Sequence, residues 1–152
     1  MTGPFRSCRS AARAFAPAVG WTCLVLVATS LPGTVVPAAG PSWLDKVVHF
    51  AVYAVMAALW RRATRRSPLA ARAPEARRVM PGFGWLLVPA LAIFAGLDEL
   101  HQAWIPGRSP SLADWAADLA GIAAGAWLEA GRARGNRSAP AEDSDRRSWD
   151  GG

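Results

Sequence analysis

Residues 44–62 read LDKVVHFAVYAVMAALWRR. Asp45, Lys46 and His49 crowd the start, no charge falls between Phe50 and Leu59, and Arg61 and Arg62 follow Trp60. A soluble amphipathic helix spreads its polar groups along one face. Here polarity is confined to the two ends of an apolar segment about as long as a bilayer is thick, for which about 20 residues suffice. The stretch is therefore read as a membrane helix, Leu44 to Trp60, with one polar end and one basic end.

The same pattern extends outward. No charged residue occurs from Ala14 to Leu44, although the 152-residue chain carries a net charge of +6. Further spans are expected at Phe15 to Leu31, Phe83 to Gln102 and Leu112 to Glu129, each about a bilayer long. Basic residues form three blocks: Arg6, Arg9 and Arg13; Arg61, Arg62, Arg65, Arg66, Arg72, Arg77 and Arg78; and Arg132, Arg134 and Arg137. The other connections hold little beyond Lys46 and Arg108. Alternation across four helices puts all three blocks in the cytoplasm, as the positive-inside rule requires. The expected fold is an all-α, polytopic bundle of four transmembrane helices in the inner (plasma) membrane, with both termini cytoplasmic. Residues 1–14 form a basic arm, 15–130 the transmembrane domain, and 131–152 a polar, Gly-rich tail expected to be disordered. Topology accounts for the arginines, so nucleic acid is not an expected partner. Membrane lipids are, and the loop from Arg62 to Pro81 is expected to lie on anionic headgroups.

Tryptophan placement agrees with this frame, because indole rings favour the headgroup level. Trp43, Trp104 and Trp115 fall at the outer ends, and Trp60, Trp85 and Trp127 at the inner ends; Trp21 fits neither belt. A cleaved signal peptide is the rival reading of the first span, with Val36-Pro37-Ala38 as a cleavage site. Cleavage would leave three helices and set the C-terminus against the positive-inside pattern. Cys8 and Cys23 lie in unrelated segments and indicate no disulfide.

Ionisable residues within membrane spans are costly and mark candidate sites. Asp45, His49 and Tyr53 are spaced four apart on one face of the second helix. Asp98, Glu99, His101 and Gln102 end the third helix, Asp114 and Asp118 begin the fourth, and Pro106-Gly107-Arg108 lies between. All fall at the outer end, so three helices deliver polar groups to one depth. Simpler roles exist for several: Ser111 with Asp114 as a capping box, Asp45 as a first-turn carboxylate, Tyr53 as packing, Arg108 as a counter-ion for Asp98 or Glu99, His101 as a solvent-facing group, and Gly121 with Gly125 as a helix-packing pair. The set as a whole exceeds what packing needs. Crowded carboxylates can share a proton and act as an acid, His49 can act as a base, and Arg108 can hold a phosphate or carboxylate. No His-rich or Cys-rich spacing indicates a metal, and no cofactor is expected.

These residues resemble the VanZ-like family. The resemblance rests on Asp45-Lys46-Val47-Val48-His49-Phe50 with Tyr53, on Asp98-Glu99-Leu100-His101-Gln102, on Pro106-Gly107-Arg108 with Ser111 and Asp114, and on Asp118, Gly121 and Gly125. It covers roughly residues 40 to 130 and implies a four-helix membrane protein. The family's namesake is associated with low-level resistance to the glycopeptide teicoplanin. Many relatives have asparagine where this chain has Asp118.

The expected function is a membrane protein of the cell envelope that binds a polar or anionic group at the outer leaflet, with an influence on glycopeptide tolerance. The expected ligand site comprises Asp45, His49, Tyr53, Asp98, Glu99, Gln102, Arg108, Asp114 and Asp118. The ligand is a lipid headgroup or a lipid-linked wall precursor. One alternative is a membrane hydrolase or transferase, with His49, Glu99, Asp98 and Asp118 as candidate acids and bases. Another is a proton-linked carrier, which at four helices would need a homo-oligomer.

Overall fold

The computed structural model describes residues 4–35, 42–67 and 83–138, and every regular element among them is an α-helix. These are α1 (Pro4–Ser30), α2 (Ser42–Arg66), α3 (Phe83–Gln102) and α4 (Leu112–Ser138). The expected all-α four-helix bundle is observed, and α3 has the expected bounds. The other helices overrun theirs. α1 begins at Pro4 rather than Phe15, α2 continues past Trp60 to Arg66, and α4 continues past Glu129 to Ser138. The length of an apolar run measures bilayer thickness, whereas helix continuation depends on propensity. The overruns are rich in Ala and Arg, both strong helix formers. The basic arm and the start of the tail are thus helical. Val36-Pro37-Ala38, residues 68–82 of the middle loop and the tail beyond Ser138 lie outside the described residues.

Among the described residues, two segments are long and apolar enough to cross a membrane, Arg9–Ser30 and Trp43–Arg66. Hydropathy is lowered by Asp98 and Glu99 in α3 and by Asp114, Asp118 and Glu129 in α4. The distribution of side chains inverts that of a soluble protein. Val27, Ile93 and Leu97 are 60% or more exposed, whereas Asp98 and Asp118 are 4% and 1% exposed.

Helices α2 and α4 form the most intimate pair. His49 meets Asp118 near their starts and Arg65 meets Glu129 near their ends, so the two helices run parallel. Glycine lets them approach. A Cβ at Gly121 would strike the Phe50 carbonyl, and one at Gly125 the Ala54 carbonyl. The small-xxx-small pair is therefore the seam of this bundle. Tyr53, Met56, Ala57 and Ile122 form the core beside it, joined by Val25 of α1 and by Leu91 and Ala95 of α3.

Tryptophans tie the remaining helices on. Trp21 Nε1 donates to the Val52 carbonyl at 3.1 Å, and Trp60 Nε1 to the Thr22 hydroxyl at 3.0 Å. Trp115 Nε1 donates to the Ala92 carbonyl at 3.3 Å. Trp21, which fits neither belt, is thus an α1–α2 tie. Trp43, Trp104 and Trp127 are 63–71% exposed.

The segment after α1 and the α3–α4 turn meet at one end. Gly33 N–H donates to the Pro106 carbonyl at 3.0 Å, which seats the segment after α1 on the α3–α4 turn. Gly107 adopts φ 75° there, a left-handed conformation that favours glycine. At the opposite end, Arg65 bonds both the Glu129 carboxylate and its carbonyl, and Arg132 adds a contact to that carboxylate at 3.3 Å.

Candidate functional site

Asp98, Glu99, Gln102, Asp114 and Asp118 are all buried at the end of the bundle where the segment after α1 meets the α3–α4 turn. Each arrives by helical spacing. Asp114 and Asp118 are one turn apart on α4, and His49 and Tyr53 one turn apart on α2, so paired residues share a face.

His49 Nδ1 lies 3.0 Å from Asp118 Oδ1 across the α2–α4 seam. Gly121, one turn beyond Asp118, provides the close approach that this distance needs. Donor atoms of His49, Glu99 and Asp118 all lie within 4.8 Å of one another. One Glu99 oxygen accepts the Ser111 N–H, and the other accepts from Gln102 Nε2 at 3.3 Å.

That Ser111 contact changes the reading of the capping box. Ser111 Oγ accepts the Asp114 N–H at 3.3 Å, which is half of such a box. The reciprocal acceptor for Ser111 N–H is Glu99 of α3 rather than Asp114. The Asp114 carboxylate instead engages the Lys46 ammonium, which also contacts Asp45 at 3.3 Å. Lys46 thereby joins the site by bridging a carboxylate of α2 to one of α4.

Asp98 is held by neutral donors. Tyr53 Oη donates to one carboxylate oxygen at 3.0 Å, and Thr29 Oγ1 donates to the other at 2.8 Å. Thr29 brings α1 into the site as a fourth helix. Sequence reasoning missed it, because a threonine near the end of an apolar run is an ordinary residue there. Its only signal is a depth shared with the buried carboxylates.

Arg108 meets no carboxylate among the described residues. Its guanidinium donates to the carbonyls of Ala28 and Leu31 at 3.1 and 3.3 Å, and to Gln102 Oε1 at 3.5 Å. The last carbonyls of a helix lack partners within it, and a cation is favoured beside them. Arg108 thus caps α1 and reaches Glu99 only through Gln102. His101 stands apart from these bonds, its ring edge-on to Trp104 with centroids 6.5 Å apart.

The structure therefore brings together Asp45, His49, Tyr53, Asp98, Glu99, Gln102, Asp114 and Asp118, and commits Arg108 to α1. An apolar cavity of about 250 Å³ lies elsewhere, among Thr22, Met56, Trp60, Leu87, Leu91 and Phe94. It contains none of these polar groups. Chemically, the cluster is rich in acceptors: carboxylates outnumber the cations that touch them. It can receive hydrogen-bond donors or a cation, and the His49–Asp118 pair can pass a proton.

A family model described as VanZ/LLP1 matches residues 4–130, from the first turn of α1 into α4. No curated protein and no solved structure matches the chain. With a helical, membrane-associated fold and a match over most of its length, the chain belongs to the VanZ/LLP1 family.

Proposed function

We propose that this chain spans the inner membrane four times, with both termini cytoplasmic, and uses its outer end to bind the polar head of an envelope lipid or lipid-linked wall precursor. The observation that carries the reading is the burial of Asp98, Glu99 and Asp118 together beneath an apolar exterior. Intramembrane carboxylates face bundle interiors where they serve a site. Spacing supports the membrane frame. His49 and Arg65 mark the polar layers at the two ends of α2 and are 16 residues apart. At a rise of 1.5 Å per residue that is about 24 Å, close to the roughly 30 Å of a hydrocarbon core.

The engaged state of Arg108 and Lys46 bears on the ligand. With both cations committed, the cluster favours a donor such as a hydroxyl, amide or ammonium over a bare anion. A second reading, acid–base catalysis on the same lipid-linked material, is favoured by the 3.0 Å His49–Asp118 contact with Glu99 nearby. Glycopeptide tolerance, or another envelope phenotype of a deletion strain, tests both when scored beside membrane abundance. Glu99→Gln and His49→Ala at normal abundance should abolish the phenotype if the site is catalytic, where general acid–base groups contribute about 10²–10⁴-fold. A binding pocket should lose it only partly. Full function in both variants would remove the cluster from any functional role.

A further inference from the structure

Four of the five carboxylates at this end fall into two groups around His49, while Asp98 is held apart by the hydroxyls of Tyr53 and Thr29. Donor atoms of Asp45, His49 and Asp114 lie within 4.8 Å of one another, and so do those of His49, Glu99 and Asp118. The first group already has a cation, since the Lys46 ammonium contacts both Asp45 and Asp114. Among the described residues the second has none: Glu99 accepts from Ser111 N–H and Gln102, and Asp118 pairs with the imidazole of His49. Glu99 and Asp118 are 7% and 1% exposed, so little water offsets their charge. Two carboxylates buried against one imidazole must take up protons or be met by a cation, because net negative charge is costly in a low-dielectric interior.

We propose that His49, Glu99 and Asp118 form a divalent-cation site. A neutral imidazole and two carboxylates bring a dication to zero net charge. Mixed nitrogen and oxygen donors suit first-row divalent ions, with Zn²⁺ preferred over Mn²⁺ by intrinsic affinity. Donors about 2.1 Å from a tetrahedral Zn²⁺ lie roughly 3.4 Å apart. The observed separations, 3.0 Å for His49–Asp118 and no more than 4.8 Å for the others, require small movements to reach that value. The hydrogen bonds from Ser111 and Gln102 orient the Glu99 carboxylate, as outer-shell partners of metal ligands do. Three protein donors leave a coordination position for an oxygen of an incoming head group. This assignment rests on the reading of the outer cluster as a binding site and names its partner more closely.

The test uses the full chain in lipid nanodiscs, stripped of metal and titrated calorimetrically with ZnCl₂ and MnCl₂. One saturable Zn²⁺ site per chain is expected, weakened at least about tenfold in Glu99→Gln and within about twofold of the parent in His101→Gln, whose ring packs on Trp104 apart from the cluster. Cobalt absorption of the unaltered chain reads the same site without any variant, as a ligand-field band from nitrogen and oxygen donors. Absence of saturable Zn²⁺ and Mn²⁺ binding by the unaltered chain would overturn the proposal, as would binding lost in His101→Gln but kept in Glu99→Gln. Loss of the envelope phenotype in Glu99→Gln without metal binding by the parent would overturn the metal site and leave the function standing. Metal binding at this site with a phenotype indifferent to His49 and Glu99 would support the metal site and defeat the function.

Discussion

Gly121→Ala and Gly125→Ala should each destabilise the bundle, although alanine is the better helix former. The propensity term favours alanine by up to about 1 kcal/mol. Against it stands the α2–α4 seam. The new methyl would meet the carbonyls of Phe50 and Ala54, together with neighbouring main-chain atoms. Main chain in mid-helix has no rotamer to change, so the helices must part by roughly 1 Å to restore ordinary van der Waals separation. Overpacking of this kind costs about 1–3 kcal/mol, and the net loss is expected at about 1–2 kcal/mol per site. Because the two positions share one seam, the double variant should lose less than the sum. The displacement also reaches the site. His49 and Asp118 are 3.0 Å apart across the same seam, and an added ångström leaves them beyond hydrogen-bond range. The assay is denaturant unfolding of purified protein in micelles, followed by helical circular dichroism. Gly131→Ala is the control: nothing lies within 4 Å of its Cβ position, so it should be neutral or stabilising by about 0.5–1 kcal/mol. Seam variants as stable as the control would refute the packing account.

Three further outcomes are expected. Arg108→Ala should lower membrane abundance by freeing the end of α1, a modest loss of about 0.5–1.5 kcal/mol because these carbonyls are exposed and water can reach them, and Arg108→Lys should restore it only in part because it offers no planar fork; full abundance in Arg108→Ala would refute the cap. Tyr53→Phe and Thr29→Val should each remove one donor from Asp98 and lower the unfolding midpoint by the equivalent of about 1–3 kcal/mol, whereas unchanged midpoints would mean that water replaces them. A reporter active only outside the cytoplasm should be silent when fused after Arg137 or near Arg72 and active near Gly40 or Pro106, and activity near Arg72 would overturn the four-span topology.

Much of this arrangement is legible in the sequence, for identifiable reasons. An aspartate in an apolar run marks its own depth, so the shared level of Asp98, Glu99, Asp114 and Asp118 follows from counting along helices. Gly121 and Gly125 mark a seam because their spacing leaves one face without side chains. Lateral partners are not legible in the same way. Arg108 in a turn faces carboxylates and carbonyls alike, and the choice depends on where α1 ends, some 80 residues earlier in the chain. Lys46 was equally ambiguous until α4 brought Asp114 to it.

The same lateral contacts decide how α1 is to be understood. Read from hydropathy alone, it could be a leader that is discarded. Yet Thr29 supplies a donor to Asp98, Trp21 binds the Val52 carbonyl, and Ala28 and Leu31 receive Arg108. Without α1, a buried carboxylate would lose a donor, a penalty of about 1–3 kcal/mol, and a partly exposed guanidinium would lose two acceptors that water replaces at smaller cost. The family match also begins at residue 4, inside this helix. These contacts run from the middle of α1 to its end, and those at the end bear directly on the polar cluster. A helix used in this way is a wall of the site, and the outer cluster is a property of all four helices rather than of the three that carry its carboxylates.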